Sequence, residues 1–154
     1  MSNRALVMNP RQALLAAIPQ QPPFRFIDAI LELSDTHIVG RYRFRDDEFF
    51  YRGHFPGHPI TPGVILIETL AQTGVVALGL HLASDLPAAT NLTTVFTEAN
   101  VEFCGVVRPG DTVKVRAEKI YFRRMKLKVR AQMTLPDGAV VCAGELAGMG
   151  VQLA

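Results

Sequence analysis

Between Val64 and Leu80 the chain carries only four polar side chains, Glu68, Thr69, Gln72 and Thr73, and apolar residues fall on every side of a helical wheel. A surface helix shows one apolar stripe, so a helix apolar all round has to be enclosed by the rest of the fold. The pair Thr61-Pro62 predicts its start, with Thr61 as N-cap and Pro62 at the first helical position, where a missing N–H costs nothing. The helix is expected to run to about Leu80. That is slightly short for a bilayer span and includes the Glu68 carboxylate, so the pattern predicts a core helix and no membrane span.

Six segments read as strands: Phe24–Leu33, His37–Phe44, Thr93–Phe103, Thr112–Phe122, Met125–Leu135 and Ala139–Val151. Turns are expected at Ser34-Asp35-Thr36 and Pro136-Asp137-Gly138. Arg11–Ile18 predicts a short helix, residues 1–9 a flexible tail, and Ala83–Leu92 a loop. One long helix amid six closely connected strands implies an α+β fold, an antiparallel β-sheet wrapped around that helix. The 154 residues, 49% hydrophobic, suit a single globular domain spanning the whole chain. With 19% charged residues and a net charge of +2, total charge excludes a strongly polyanion-directed protein. The N-terminal stretch lacks the apolar core and cleavage site of a signal peptide, so a cytoplasmic location is expected. Cys104 and Cys142 fit no metal-ligand spacing and are expected as two buried thiols.

The chemistry concentrates in front of and inside the helix. Pro56, Gly57, Pro59, Pro62 and Gly63 prevent any regular element between Gly53 and Thr61, because each proline fixes φ and restricts its predecessor. A stiff turn is a suitable mount for the side chain of His54. Glu68 follows in apolar surroundings, where burial disfavours its charged form and raises its pKa, as a proton donor near neutral pH requires. Gln72 lies one turn further on the same face, within reach of Glu68. The unsatisfied N–H groups around Gly63 and Val64 favour negative charge in front of the helix. A base, an acid and an oxyanion site in one segment suit proton abstraction beside a carbonyl followed by loss of a β-substituent.

Other side chains draw plainer expectations. His54 and His58 share a face only on a helix, which Pro56 and Gly57 forbid, so no metal site is expected. His37 and His81 read as surface or strand-end residues with no partner implied. Asp46-Asp47-Glu48 reads as a solvated loop, and Phe49-Phe50-Tyr51 as packing rather than a gate. Lys114, Arg116, Lys126, Lys128 and Arg130 alternate with apolar residues, which predicts one basic sheet face and one buried face. No recognition motif or stacking platform accompanies the charge, so nucleic acid is not the expected partner.

The run Gly53-His54-Phe55-Pro56-Gly57-x-Pro59-x-x-Pro62-Gly63, then Val64-Ile65-Leu66-Ile67-Glu68 and Ala71-Gln72, closely resembles the signature of the 3-hydroxyacyl-acyl-carrier-protein dehydratases of bacterial fatty acid synthesis. Pro23-Phe24 and Phe26-Ile27-Asp28 upstream, and Phe103, Val107 and Arg108-Pro109-Gly110-Asp111 downstream, extend the resemblance over roughly Ala13 to Leu146. It implies the hot-dog fold. It also implies dehydration of (3R)-3-hydroxyacyl thioesters to trans-2-enoyl thioesters, with the acyl group carried on the phosphopantetheine of acyl carrier protein and no metal or redox cofactor. His54 would then remove the C2 proton, Glu68 protonate the departing hydroxyl, and the Gly63 N–H hold the thioester carbonyl. The family's sites are shared between the two subunits of a homodimer, which can assemble further. An acidic carrier protein would be met by the basic set, Arg123, Arg124 and Lys126 foremost, for which the plainer reading is a solvated strand face. The chain departs from the family at Gln20-Gln21-Pro22, where many members carry a His-Arg pair, at Thr61, and at Cys104-Gly105, departures that raise a specialised polyene or polyketide pathway as an option beside housekeeping fatty acid synthesis. A hot-dog thioesterase using Glu68 to activate water, and a non-catalytic acyl-binding or assembly subunit, are the alternatives; His54 within Gly-His-Phe-Pro-Gly speaks against both. Glu68, where an isomerising sister branch has aspartate, disfavours isomerisation.

Overall fold

The computed structural model describes residues 8–86 and 92–152. Helix α1 (Pro10–Ala17) starts where it does because Asn9 caps it: the Asn9 side chain accepts the Gln12 N–H at 2.9 Å, and the Gln12 side chain accepts the Asn9 N–H. Asn9 is therefore part of the fold rather than of a tail, while residues 1–7 of the expected tail lie outside the described residues.

Six strands, β1 (Ala29–Leu33), β2 (His37–Arg43), β3 (Thr93–Phe103), β4 (Thr112–Arg123), β5 (Lys126–Thr134) and β6 (Val140–Val151), form one antiparallel sheet in the order β1-β2-β4-β5-β6-β3. Two-residue alternation sets its faces. Val113, Val115 and Ala117 of β4 and Leu127, Val129, Ala131 and Met133 of β5 are buried, with charged or polar residues between them. β3 is an outer strand whose residues are largely exposed, Val95, Phe96 and Phe103 among them.

The sheet encloses one continuous helix, Gly63–Ala83, made of α2 (Gly63–Ala71), a π-helical segment (Gln72–Ala77) and α3 (Leu78–Ala83). It runs past the expected end at Leu80 and is long and apolar enough to cross a membrane, but two thirds of its apolar window (67%) is buried inside the fold. Leu70 and Leu78 are fully buried, each such side chain contributing roughly 1.5–3 kcal/mol. The π-helical segment comes closest to the sheet. A Cβ on Gly74 would stand 2.9 Å from Ala117 Cβ, and one on Gly148 would stand 2.6 Å from Val75 Cγ1, so only glycine permits these approaches.

Several expectations are corrected. Thr61 does not cap the helix: Pro62 is the N-cap residue, and Thr61 is buried with its N–H bonded to Val107 O and its hydroxyl 2.6 Å from Tyr51 Oη. The outer sheet face is not uniformly basic, because Glu98 pairs with Lys126 and Lys128, Glu145 with Lys128 and Arg130, and Arg116 with Glu32 and Glu118. Cys142 is buried, which pushes its thiol up to about 12, but Cys104 is exposed. Glu48 accepts the Tyr42 hydroxyl at 2.7 Å and is half-buried, unlike its solvated neighbours. His81 Nε2 donates to Asp35 at 2.8 Å, and His37 Nδ1 lies 3.0 Å from Ser34 Oγ, so both have partners. Tyr51 is buried and Phe50 packs on the core beside Phe26 and Phe44, whereas Phe49 is exposed. Residues 87–91 of the expected Ala83–Leu92 loop lie outside the described residues.

Candidate active site

His54 stands in a turn tied down at both ends. Its N–H bonds Phe50 O, its carbonyl accepts the Ile60 N–H at 3.0 Å, and Phe55 and His58 exchange backbone bonds between them. Gly57 has φ +76°, a left-handed conformation that glycine adopts without strain. The ring is fixed by Nδ1, 2.9 Å from Ile60 O. A carbonyl only accepts, so Nδ1 carries a hydrogen, and in the neutral ring the lone pair is on Nε2. The half-buried ring also stacks on Phe55.

Glu68 is half-buried on α2, and burial raises its pKa above the ordinary carboxylate value, opposed in part by a hydrogen bond from Gln72. Gln72 Nε2 donates to Glu68 Oε1 at 2.8 Å and to Phe24 O at 2.9 Å, while Gln72 Oε1 accepts the Phe26 N–H at 2.7 Å. These partners admit only one orientation of the amide. They also explain why β1 begins at Ala29 and not at Phe24: the backbone at Phe24 and Phe26 is bonded to Gln72 instead of to a strand. With Oε1 engaged, Oε2 is the oxygen of Glu68 left open.

At the start of α2 the first bonds are donated by Ile65 and Leu66 to Pro62 O, so the Gly63 and Val64 N–H groups make none within the helix. Gly63 lies beside the Phe103 ring of β3, and Val64 is exposed. Glu68 lines a cavity of about 40 Å³ with Gln20, Ala71, Val75, Val76 and residues of β3. A larger, mainly apolar cavity of about 310 Å³ lies between α1, α3 and the ends of β4 to β6, and shares Val75, Thr94 and Gly148 with the first. His54 is not among the residues lining the Glu68 cavity of its own chain. Arg123 stacks over Tyr121, Arg124 sits in the β4–β5 turn with φ 51°, and Lys126 is 3.8 Å from Glu98. Among the described residues no group of three or more His, Cys, Asp or Glu is placed to hold a metal. Gln20 and the β3 residues Thr94 and Phe96 had no local signal of a place beside Glu68; only tertiary packing reveals it.

The model of the FabA-like domain matches residues 18–145. The chain belongs to the FabA-like family. Among curated relatives, this FabA-like chain is 42% identical over 137 residues to the 3-hydroxyacyl-acyl-carrier-protein dehydratase FabZ of Roseiflexus castenholzii, covering 88% of the chain and 92% of the relative. The FabZ of Chloroflexus aggregans is 38% identical, with 88% and 91% covered. Among solved structures, the dehydratase heterocomplex ApeI:P from Xenorhabdus doucetiae superposes with a TM-score of 0.72 at 15% identity, covering 88% of both chains. A hypothetical thioesterase with coenzyme A from Streptococcus pneumoniae gives 0.59 at 14%, covering 80% and 84%. At these identities the structural likenesses establish the hot-dog fold of the FabA-like chain, not a reaction.

Proposed function

We propose that this chain dehydrates (3R)-3-hydroxyacyl thioesters, carried on acyl carrier protein, to trans-2-enoyl thioesters in fatty acid or related biosynthesis. The observation that carries the reading is the Glu68 carboxyl: a proton donor with raised pKa, one oxygen fixed by Gln72, beside a water-sized cavity adjoining an apolar one. His54 Nε2 takes the C2 proton, the electron pair forms the C2=C3 bond, and the C3–O bond breaks as Glu68 Oε2 delivers its proton, so the hydroxyl leaves as water. Charge building on the thioester oxygen is met by the N–H groups of Gly63 and Val64, a donor of this kind being worth about 10²–10³ in rate. Every step is a proton transfer or a C–O cleavage without net oxidation, so the chemistry requires neither metal nor redox cofactor.

The position of His54 outside the Glu68 cavity of its own chain supports a site completed by a second copy that brings its His54 to this Glu68, in a homodimer joined along exposed β3. Docking of the acidic carrier falls to Arg123 and Arg124, since Lys126 is held by Glu98. Replacing both arginines by glutamate should raise KM for carrier-bound substrate more than for a short thioester mimic; an equal rise ends the docking idea. Use of carrier-bound acyl groups fits the expected cytoplasmic location, and recovery with membranes on cell fractionation would contradict it.

The deciding experiment is hydration of a short trans-2-enoyl thioester, following conjugated absorbance and free thiol together. Absorbance loss without thiol release, abolished in His54→Ala and in Glu68→Gln, is expected. Thiol release would make the protein a thioesterase, and silence even with carrier-bound substrate would make it a binding subunit.

A further inference from the structure

Gln20 Oε1 is buried and has no hydrogen-bond partner among the described residues. A buried acceptor without a donor is costly and demands a reason. Gln20 lines the same cavity as Glu68, whose other walls include Ala71, Val75, Val76 and Val95. Its volume, about 40 Å³, suits one water, whose share of the liquid is about 30 Å³, and not an acyl chain. Resting on the dehydratase reading, we propose that Gln20 Oε1 accepts a hydrogen bond from the substrate's 3-hydroxyl and then holds the water that leaves.

The chemistry requires such an acceptor. The hydroxyl oxygen receives the Glu68 proton through a lone pair, so its own O–H must point elsewhere, and an apolar wall would leave it unpaired as the bond breaks. A second carboxylate there would compete for the Glu68 proton; an amide oxygen accepts without competing. Once the C3–O bond has broken, the water carries two hydrogens, one directed to Gln20 Oε1 and one back to the Glu68 carboxylate. In the reverse direction the same pair orients the water that adds to C3. Gln72 cannot serve, because both ends of its amide are engaged.

The test compares the wild-type chain with Gln20→Leu and with Gln20→Met, both of which remove the acceptor while filling the space. Each should dehydrate 3-hydroxybutanoyl thioester about tenfold more slowly, the size expected of one neutral hydrogen bond. Each should melt at or above the wild-type temperature, since a buried unpaired acceptor has been removed. In a His54→Ala background, where bound ligand is not consumed, each should weaken binding of the 3-hydroxybutanoyl thioester but not of the saturated butanoyl thioester. Unchanged turnover with an unchanged preference for the hydroxylated ligand overturns the assignment. So does equal weakening of both ligands or a lowered melting temperature in both variants, which would make Gln20 structural. A wild-type chain that dehydrates nothing removes the dehydratase reading and this inference with it; a working wild type matched by both variants removes this inference alone.

Discussion

Glu68 is the residue at which stability and the proposed chemistry oppose each other. Its unfolded carboxyl titrates near 4.5, while burial in the fold raises that value. The folded chain therefore holds this proton more tightly than the unfolded chain, so the Glu68 contribution to stability is full below about 4.5 and is lost as pH rises through the folded value. Glu68→Gln keeps a neutral polar group of the same shape at every pH. It should abolish dehydration, general acid help being worth about 10²–10⁴, yet melt above wild type at neutral and mildly alkaline pH, with the gain vanishing in acid. Melting curves across that range check this, and a variant less stable than wild type at high pH would show that burial of charge is not what shifts Glu68. The roles of His54 and Glu68 were suggested by their motif, but the ready Nε2 of His54 was not: it depends on Ile60 O, which backbone geometry alone places at 2.9 Å.

At the scale of elements, the π-helical segment brings the helix against the sheet and contributes Val75 to both cavities. Gly79 of α3 lines the larger one, and a Cβ there would meet Leu127 Cδ2 at an ordinary 3.7 Å. A leucine at Gly79 would fit the helix and project its remaining atoms into the cavity. Gly79→Leu should keep activity on butanoyl-length substrates and lose it progressively on longer acyl chains, as rates across a chain-length series would show; a uniform loss would mean the cavity does not hold the chain. Most element boundaries were legible because they rest on local patterns. An apolar-rich run marked β3 over its full extent, and Pro136-Asp137-Gly138 marked the last turn. The start of β1 was not legible, because Gln72 reaches the Phe24–Phe26 backbone from 46 to 48 residues away. Thr61 misled because its capping role gives way to Tyr51, ten residues upstream, and to the distant Val107, neither of which belongs to a local capping pattern.

For the whole molecule, the antiparallel sheet around a central helix followed from counting elements, but the strand order β1-β2-β4-β5-β6-β3 did not, since alternation says which face is buried and not which strand is adjacent. The basic character of the outer face was overestimated because Glu98 and Glu145 lie across the sheet from the lysines they neutralise. In the proposed dimer, where His54 and Glu68 of one site come from different copies, mixing His54→Ala with Glu68→Gln should restore activity through hybrid dimers holding one intact site. Roughly a quarter of wild-type activity is expected when subunits exchange at random, because half the dimers are hybrids and each has one working site of two. No recovery despite demonstrated exchange would place both groups in one chain. The exposed β3 edge then has a consequence for how much work a given amount of protein does. Once dilution passes the point where the proposed dimer holds together, each folded chain would carry only half of each of two sites, and output should fall with the square of the protein concentration instead of in proportion to it.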